Sequence, residues 1–428
     1  MKPFGAAVFA ASLLLVACGG ESPGGSGASS PASPASRQAL ETAFTPASLE
    51  RLDAAMARPV SRGDVPNLSY GLLHEGEIVL QGFHGTRTQG GTEPVNEDTL
   101  YRIYSMTKPI TGVAMLMLYE DGLWSPDDPV TDHIPELADL QVLQSDGTLA
   151  PASRPPTVGE LLNHTAGFTY GNRGDAANRA FLEARVLGSS SLDVMAEKLA
   201  DVPLLFEPGE GWSYSVATDL QGLIIERLSG QTLGAFFEER IFAPLGMDST
   251  GFYVEAADQS RLSDLVNPGA GGAAASVNSS PAMTYARQHV GLEAGGSGLV
   301  STLSDYQKFI TMLAGSGTLD GVRLLQPETV QMMVTDRVGD APRNARNRAY
   351  RMKAGRGYGV NVGVVTNARR LGWDAPTGTW HWYGAAGTWF WHDPVNNITF
   401  IGMIQSSPPP EGNLMEDAMD AVYDAYKR

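Results

Sequence analysis

The sequence predicts an α/β fold of the α+β type: an antiparallel sheet built from both ends of the chain, flanked by helices, with an all-helical lobe inserted between the halves. Three observations predict it. Apolar runs around residues 68–83 read as a hairpin. The segment from about 125 to 265 is mostly helical pattern broken by Pro and Gly. Short strand-like runs and a helix close the chain.

In chain order, Thr45-Pro46 forms an N-cap and N1 pair for a helix with Leu49, Leu52 and Met56 on one face. Leu68–Leu73 and Ile78–Phe83 flank His74-Glu75-Gly76-Glu77, a turn joining two strands. Ile110, Val113, Ala114, Met117 and Leu118 keep the spacing of an amphipathic helix that runs to Asp121-Gly122. Strand-like runs follow the lobe at Tyr358–Thr366, Trp380–Tyr383, Thr388–His392 and Ile398–Met403. A last helix carries Met415, Met419, Val422 and Tyr426 along one side. The run Pro268–Ser280 reads as a surface loop. Residues 38–428 are too many for one small core, so two packed lobes are expected.

Composition narrows the function. The formal charge of −17 argues against a nucleic-acid partner, because phosphate-backbone affinity needs a basic face. The single cysteine, Cys18, excludes an internal disulfide, a cysteine zinc site and an iron–sulfur cluster. The seven histidines form no HExxH or similar close pair. No metal or cofactor is expected.

Residues 1–17 read as a secretory signal: Lys2 supplies the positive end, and the apolar run Phe4–Ala17 is shorter than the roughly 20 residues a bilayer span needs. It ends in Leu15-Val16-Ala17-Cys18, which resembles the lipobox of bacterial lipoproteins. That resemblance implies lipidation of Cys18 and an exported protein held in the cell envelope. Gly19, in place of Asp, favours the outer membrane by the same resemblance. Residues 18–37 form the lipidated cysteine and a flexible Gly/Ser/Pro/Ala tether. Gly20-Glu21-Ser22-Pro23-Gly24 matches GxSxG in letters only, since the tether offers neither the strand nor the helix a nucleophile elbow requires.

The candidate nucleophile is Ser105 of Ser105-Met106-Thr107-Lys108, at the start of the apolar-periodic helix. Residues three apart share a helix face, so the lysine amine can reach the serine hydroxyl. The helix N-terminus favours developing negative charge. Burial and nearby positive potential would lower the lysine pKa until it acts as a base. The spacing is common by chance, and a helix-capping serine beside a solvated lysine has the same letters.

Tyr101–Pro109 (YRIYSMTKP) closely resembles the nucleophile segment of the serine β-lactamase-like family, which includes class C β-lactamases, DD-peptidases and family VIII carboxylesterases. Asp127-Asp128-Pro129-Val130, Ile134-Pro135-Glu136 and Leu161–Gly167 (LLNHTAG) extend the resemblance. The second family motif corresponds to Tyr214-Ser215 with Asp219 five residues after the tyrosine. A phenol near Lys108 would have its ionised form favoured and could shuttle protons to and from Ser105. His164 reads as structural. The third motif departs from the lactam-cleaving members: Trp382-Tyr383-Gly384 stands at the Lys-Thr-Gly place and is similar to the Trp-Gly-Gly of family VIII esterases. A charge-assisted contact to an anion is lost and an aromatic wall gained, which favours neutral esters, although His381 could partly replace the cation.

The resemblance implies a β-lactamase/transpeptidase-like fold and a cofactor-free serine hydrolase. Ser105 would be the nucleophile, Lys108 and Tyr214 the general base and acid, and the Ser105 and Ala385 amides an oxyanion hole. Trp382, Tyr383 and Gly384 would line the substrate site. The substrate is then a small ester or a lactam. Two alternatives stand beside the esterase: a β-lactamase or DD-peptidase cleaving amides, and a penicillin-recognising envelope protein without turnover. Gly295–Thr302 (GGSGLVST) also matches a family segment and reads as close backbone packing, since no phosphate-loop spacing is present.

Overall fold

The computed structural model describes residues 43–268, 274–276, 285–287, 291–410 and 413–426. The signal segment, Cys18 and the tether lie outside the described residues. So does most of the Pro268–Ser280 run, of which Ala274–Ser276 pairs antiparallel with Val266–Pro268. No described helix is long and apolar enough to cross a membrane.

Helix α1 (Pro46–Ser61) starts where expected. Thr45 and Ser48 form a reciprocal capping box, and Pro46 fills the first turn, where its missing N–H costs nothing. Losing such a cap typically costs about 1 kcal/mol. The chain then makes the hairpin β1 (Asn67–His74) and β2 (Glu77–Gly85). The remaining strands come from the other end: β3 (Arg356–Tyr358), β4 (Gly363–Val365), β5 (Trp380–Tyr383), β6 (Trp389–Asp393) and β7 (Ile398–Met403). They assemble as an antiparallel sheet in the order β3-β4-β5-β6-β7-β1-β2, with Leu72 opposite Phe400 where the two ends of the chain meet.

Side-chain alternation divides the sheet into two faces. Ile398 and Phe400 of β7 and Trp389 and Trp391 of β6 pack under α1 and the C-terminal helix (Leu414–Ala425), against Leu52, Met56, Met419 and Val422. Ile401, Met403 and Phe390 face the other way. They join a larger cluster with Tyr306 and Phe309 and with the middle of the chain. That cluster is continuous from Trp380 and Trp382 on the sheet to Leu161, Phe181 and Ile224 in the inserted segment, so sheet and lobe share one core.

Two expectations are corrected. The run Tyr358–Thr366 is a hairpin, not one strand: Asn361 has φ 58°, a left-handed conformation that turns the chain between β3 and β4. The helix after the nucleophile, α2 (Thr107–Glu120), is buried on every face from Thr107 to Leu118, not amphipathic. It packs on α3 (Ala217–Ser229), the lobe's longest helix, and on the helices Leu233–Phe237 and Pro327–Val334, so it has no solvent side. The lobe is helical apart from a short ribbon pairing Gln141–Leu143 with Leu149–Pro151.

Candidate active site

Ser105 sits in a 3₁₀ turn (Tyr104–Met106) leading into α2. The preceding residue, Tyr104, has φ 43°, a costly conformation for a bulky side chain that persists because its neighbours fix it. Ile103 N–H donates to Leu299 O (3.0 Å), Leu299 N–H donates to Thr107 Oγ1 (3.2 Å), and Tyr306 Oη donates to Met106 O (2.9 Å). These bonds hold the turn against the Gly295–Thr302 segment and leave Ser105 partly exposed.

Lys108 follows one helical turn later and is fully buried. Its amine donates to Gly296 O (2.6 Å) and Tyr170 Oη (3.0 Å) and lies 4.6 Å from the centre of the Tyr214 ring. Burial pushes its pKa down to about 7, with the facing Asp219 carboxylate pulling it back up. The positive potential expected from the sequence is therefore not the cause. Asp219 is itself buried, accepts from Gly296 N–H (3.0 Å), and is pushed above the usual carboxylate range by burial against the pull of Lys108. Gly296 thus binds the lysine through its carbonyl and the aspartate through its amide. A Cβ there would fall 2.7 Å from Asp219 Oδ2, so the close packing read from the glycine run also holds the amine in place.

Tyr214 lies just before α3. Its ring is boxed by His164 (4.9 Å), Tyr170 (5.3 Å) and Trp382 (5.4 Å). Ser105 and the Trp382 indole are the polar neighbours of its hydroxyl, yet that buried hydroxyl completes no hydrogen bond among the described residues. Burial drives its pKa well up, which corrects the expectation of a favoured phenolate: Tyr214 carries its proton at neutral pH. His164 is buried, with its pKa far below the usual histidine value, and packs edge-on to Tyr214 as a structural neutral ring.

Strand β5 brings the third motif beside the nucleophile. A Cβ on Gly384 would lie 2.4 Å from Ile103 O, so only glycine lets the strand end come this close to the Ser105 turn. The next residue, Ala385, is exposed, and its N–H has no acceptor among the described residues. Trp382 is buried against Tyr214 and Tyr358, while Tyr383 is half exposed. His381 precedes Trp382 on β5, and its ring packs on Trp373 (5.0 Å). Burial lowers its pKa to about 3, so it is neutral and does not replace the missing cation. Among the described residues no group of three His, Cys, Asp or Glu side chains is placed to hold a metal ion.

Comparison with known proteins agrees with this constellation. The family model described as Beta-lactamase matches residues 52–424. The chain belongs to the beta-lactamase family. It is 37% identical over 343 residues to an uncharacterized protein of Mycobacterium tuberculosis, covering 77% of this chain and 82% of that one. It is 31% identical over 378 residues to a lovastatin esterase of Penicillium rubens, covering 83% and 92%. Among solved structures it superposes on EstCE1, described as a hydrolase with promiscuous acyltransferase activity. The TM-score is 0.74 at 23% identity, covering 88% of this chain and 99% of that one, and it shows the shared fold. With these relatives the chain is a serine hydrolase of the beta-lactamase family.

The site of this family member brings Ser105, Lys108, Tyr214 and the 382–385 strand end together. It also holds two groups the sequence reading did not single out. Tyr170, an acceptor for Lys108, sits three residues past the LLNHTAG segment, where no spacing marks it. Gly296 stood inside a recognised motif, but its carbonyl's role is a backbone property that a residue letter does not carry.

Proposed function

We propose that the protein hydrolyses carboxylic esters through an acyl-enzyme on Ser105. The observation that carries this reading is the buried amine of Lys108, one helical turn from Ser105 and beneath Tyr214, held by Gly296 O and Tyr170. Lys108 in its neutral form takes the Ser105 proton as the Oγ–carbon bond forms. The N–H groups of Ser105 and Ala385 hold the carbonyl oxygen as it becomes tetrahedral, a contribution of about 10²–10³ in rate for each donor. The C–O bond to the alcohol then breaks. The proton from Lys108 reaches the departing alkoxide by way of Tyr214, which hands over its own proton and regains one. Water attacks the acyl carbon by the same route in reverse and restores Ser105.

Two observations favour esters over lactams or peptides. The strand beside the nucleophile offers Trp382 and Tyr383 where lactam-cleaving members have lysine and threonine, and His381 is neutral. The lovastatin esterase, aligned over most of both chains, is an ester-cleaving relative. The test is acid-quenched mass spectrometry after mixing with p-nitrophenyl butyrate. The protein should gain one acyl group on the peptide carrying Ser105, and Ser105→Ala should gain none and release no nitrophenol above background. Turnover by Ser105→Ala refutes the assignment.

A further inference from the structure

Beside Trp382 and Tyr214 opens a cavity of about 220 Å³ whose lining includes Arg173, Arg351, Lys353 and Arg356 and no Asp or Glu. In a chain of formal charge −17 this is a local reversal of sign. Three of the four come from one segment, in which Arg343, Arg346, Arg348, Arg351, Lys353 and Arg356 place six of the 30 basic residues within 14 positions. Arg343 is committed to Asp336, but the four cavity cations take part in no ion pair among the described residues. Three of them are held in place. Arg173 stacks over Tyr350 (5.0 Å), Arg356 over Trp373 (5.7 Å), and Arg351 donates to Ala345 O (2.9 Å). Asp175, whose carboxylate feels the charge of Arg173, accepts from Tyr350 Oη (2.9 Å) and from Asn178.

A second observation points the same way. Tyr358 (1% exposed) lines this cavity, and its Oη has no hydrogen-bond partner among the described residues. A buried hydroxyl without a partner costs about 1–3 kcal/mol, and a ligand with acceptor oxygens recovers that cost. Cations outside the described ion pairs, together with an unmet hydroxyl, suit an anion better than a neutral chain.

We infer that this cavity takes the anionic end of the substrate, an ester carrying a carboxylate on its acyl or alcohol part, a reading that rests on ester hydrolysis at Ser105. The preference for neutral esters drawn from the missing strand lysine is thereby reversed. The cations come from the 351–356 segment and from Arg173, outside the strand motif.

The experiment compares two ester pairs on the purified protein, each normalised to its uncatalysed rate. Mono-p-nitrophenyl adipate is set against p-nitrophenyl hexanoate, and 4-(butanoyloxy)benzoate against 4-(butanoyloxy)benzamide. In at least one pair the carboxylate member should show about tenfold higher kcat/KM at low salt. That advantage should shrink as ionic strength rises, and Lys353→Gln with Arg356→Gln should bring the ratio toward one. Turnover of all four esters without carboxylate preference overturns the anion site and leaves ester hydrolysis standing, and so does a preference that ignores both salt and the double substitution. Absence of turnover with all four overturns the esterase reading, and the anion reading with it.

Discussion

Gly296→Ala tests the lysine cradle without touching a reacting side chain. Gly296 is not a positive-φ glycine, so alanine meets no backbone penalty and its effect comes from crowding alone. The added Cβ would lie 2.7 Å from Asp219 Oδ2 and 2.9 Å from Tyr170 Oη, where ordinary contacts begin at 3.4 Å. The two groups must therefore retreat by roughly half an ångström or more. Asp219 is 2% exposed and has no free space to retreat into, so the glycine segment moves instead. It takes with it the carbonyl that holds Lys108 at 2.6 Å. Displacements of about 1 Å at a reacting group cost on the order of 100-fold in rate, so kcat on p-nitrophenyl butyrate should fall about 10- to 100-fold with KM little changed. Overpacking of this size costs about 1–3 kcal/mol, and a thermal melt separates that loss from the catalytic one. Gly339→Ala, where a Cβ meets nothing within 4 Å, is the control and should behave as the unmodified protein. Unchanged kcat in Gly296→Ala would refute the reasoning that this carbonyl positions the base.

Three further outcomes are expected. Lys108 acts as a base only without its proton, and its pKa is lowered to about 7; kcat/KM should therefore be low in acid, rise through about pH 7 and level off above, and a profile flat down to pH 5 contradicts this. Asp219 pulls that pKa up, so Asp219→Asn should move the rise to lower pH, whereas an unmoved or upward-shifted rise means the carboxylate does not act on the amine. Tyr214→Phe removes a hydroxyl that completes no hydrogen bond while keeping a ring packed on three sides; kcat should drop about 10²–10⁴-fold while the melting temperature holds or rises, and a wild-type rate excludes the proton relay.

Much of the fold was legible because its signals are local. Trp380–Tyr383 and Ile398–Met403 are strands with the expected bounds, and the Thr45-Pro46 start of α1 follows from capping chemistry that needs no tertiary partner. The Tyr358–Thr366 run failed as a single strand because β-branched letters conceal a turn made by one left-handed residue, Asn361. The amphipathic reading of α2 failed because periodicity marks one packed face and cannot reveal that α3 and the neighbouring helices cover the others. At the site, Ser105, Lys108 and Tyr214 carry motif signals. The protonation states of Tyr214 and His381 depend on burial, which only the assembled structure supplies. The basic segment Arg343–Arg356 was visible as letters, but its meaning came from the fold that sets its side chains beside Trp382.

The most direct test of the central claim is steady-state hydrolysis of p-nitrophenyl acetate, butyrate and octanoate beside nitrocefin, with Ser105→Ala as the control. The account predicts turnover of the shorter esters that disappears in Ser105→Ala, with little nitrocefin cleavage. Nitrocefin cleaved faster than every ester, or ester turnover that survives Ser105→Ala, would contradict it.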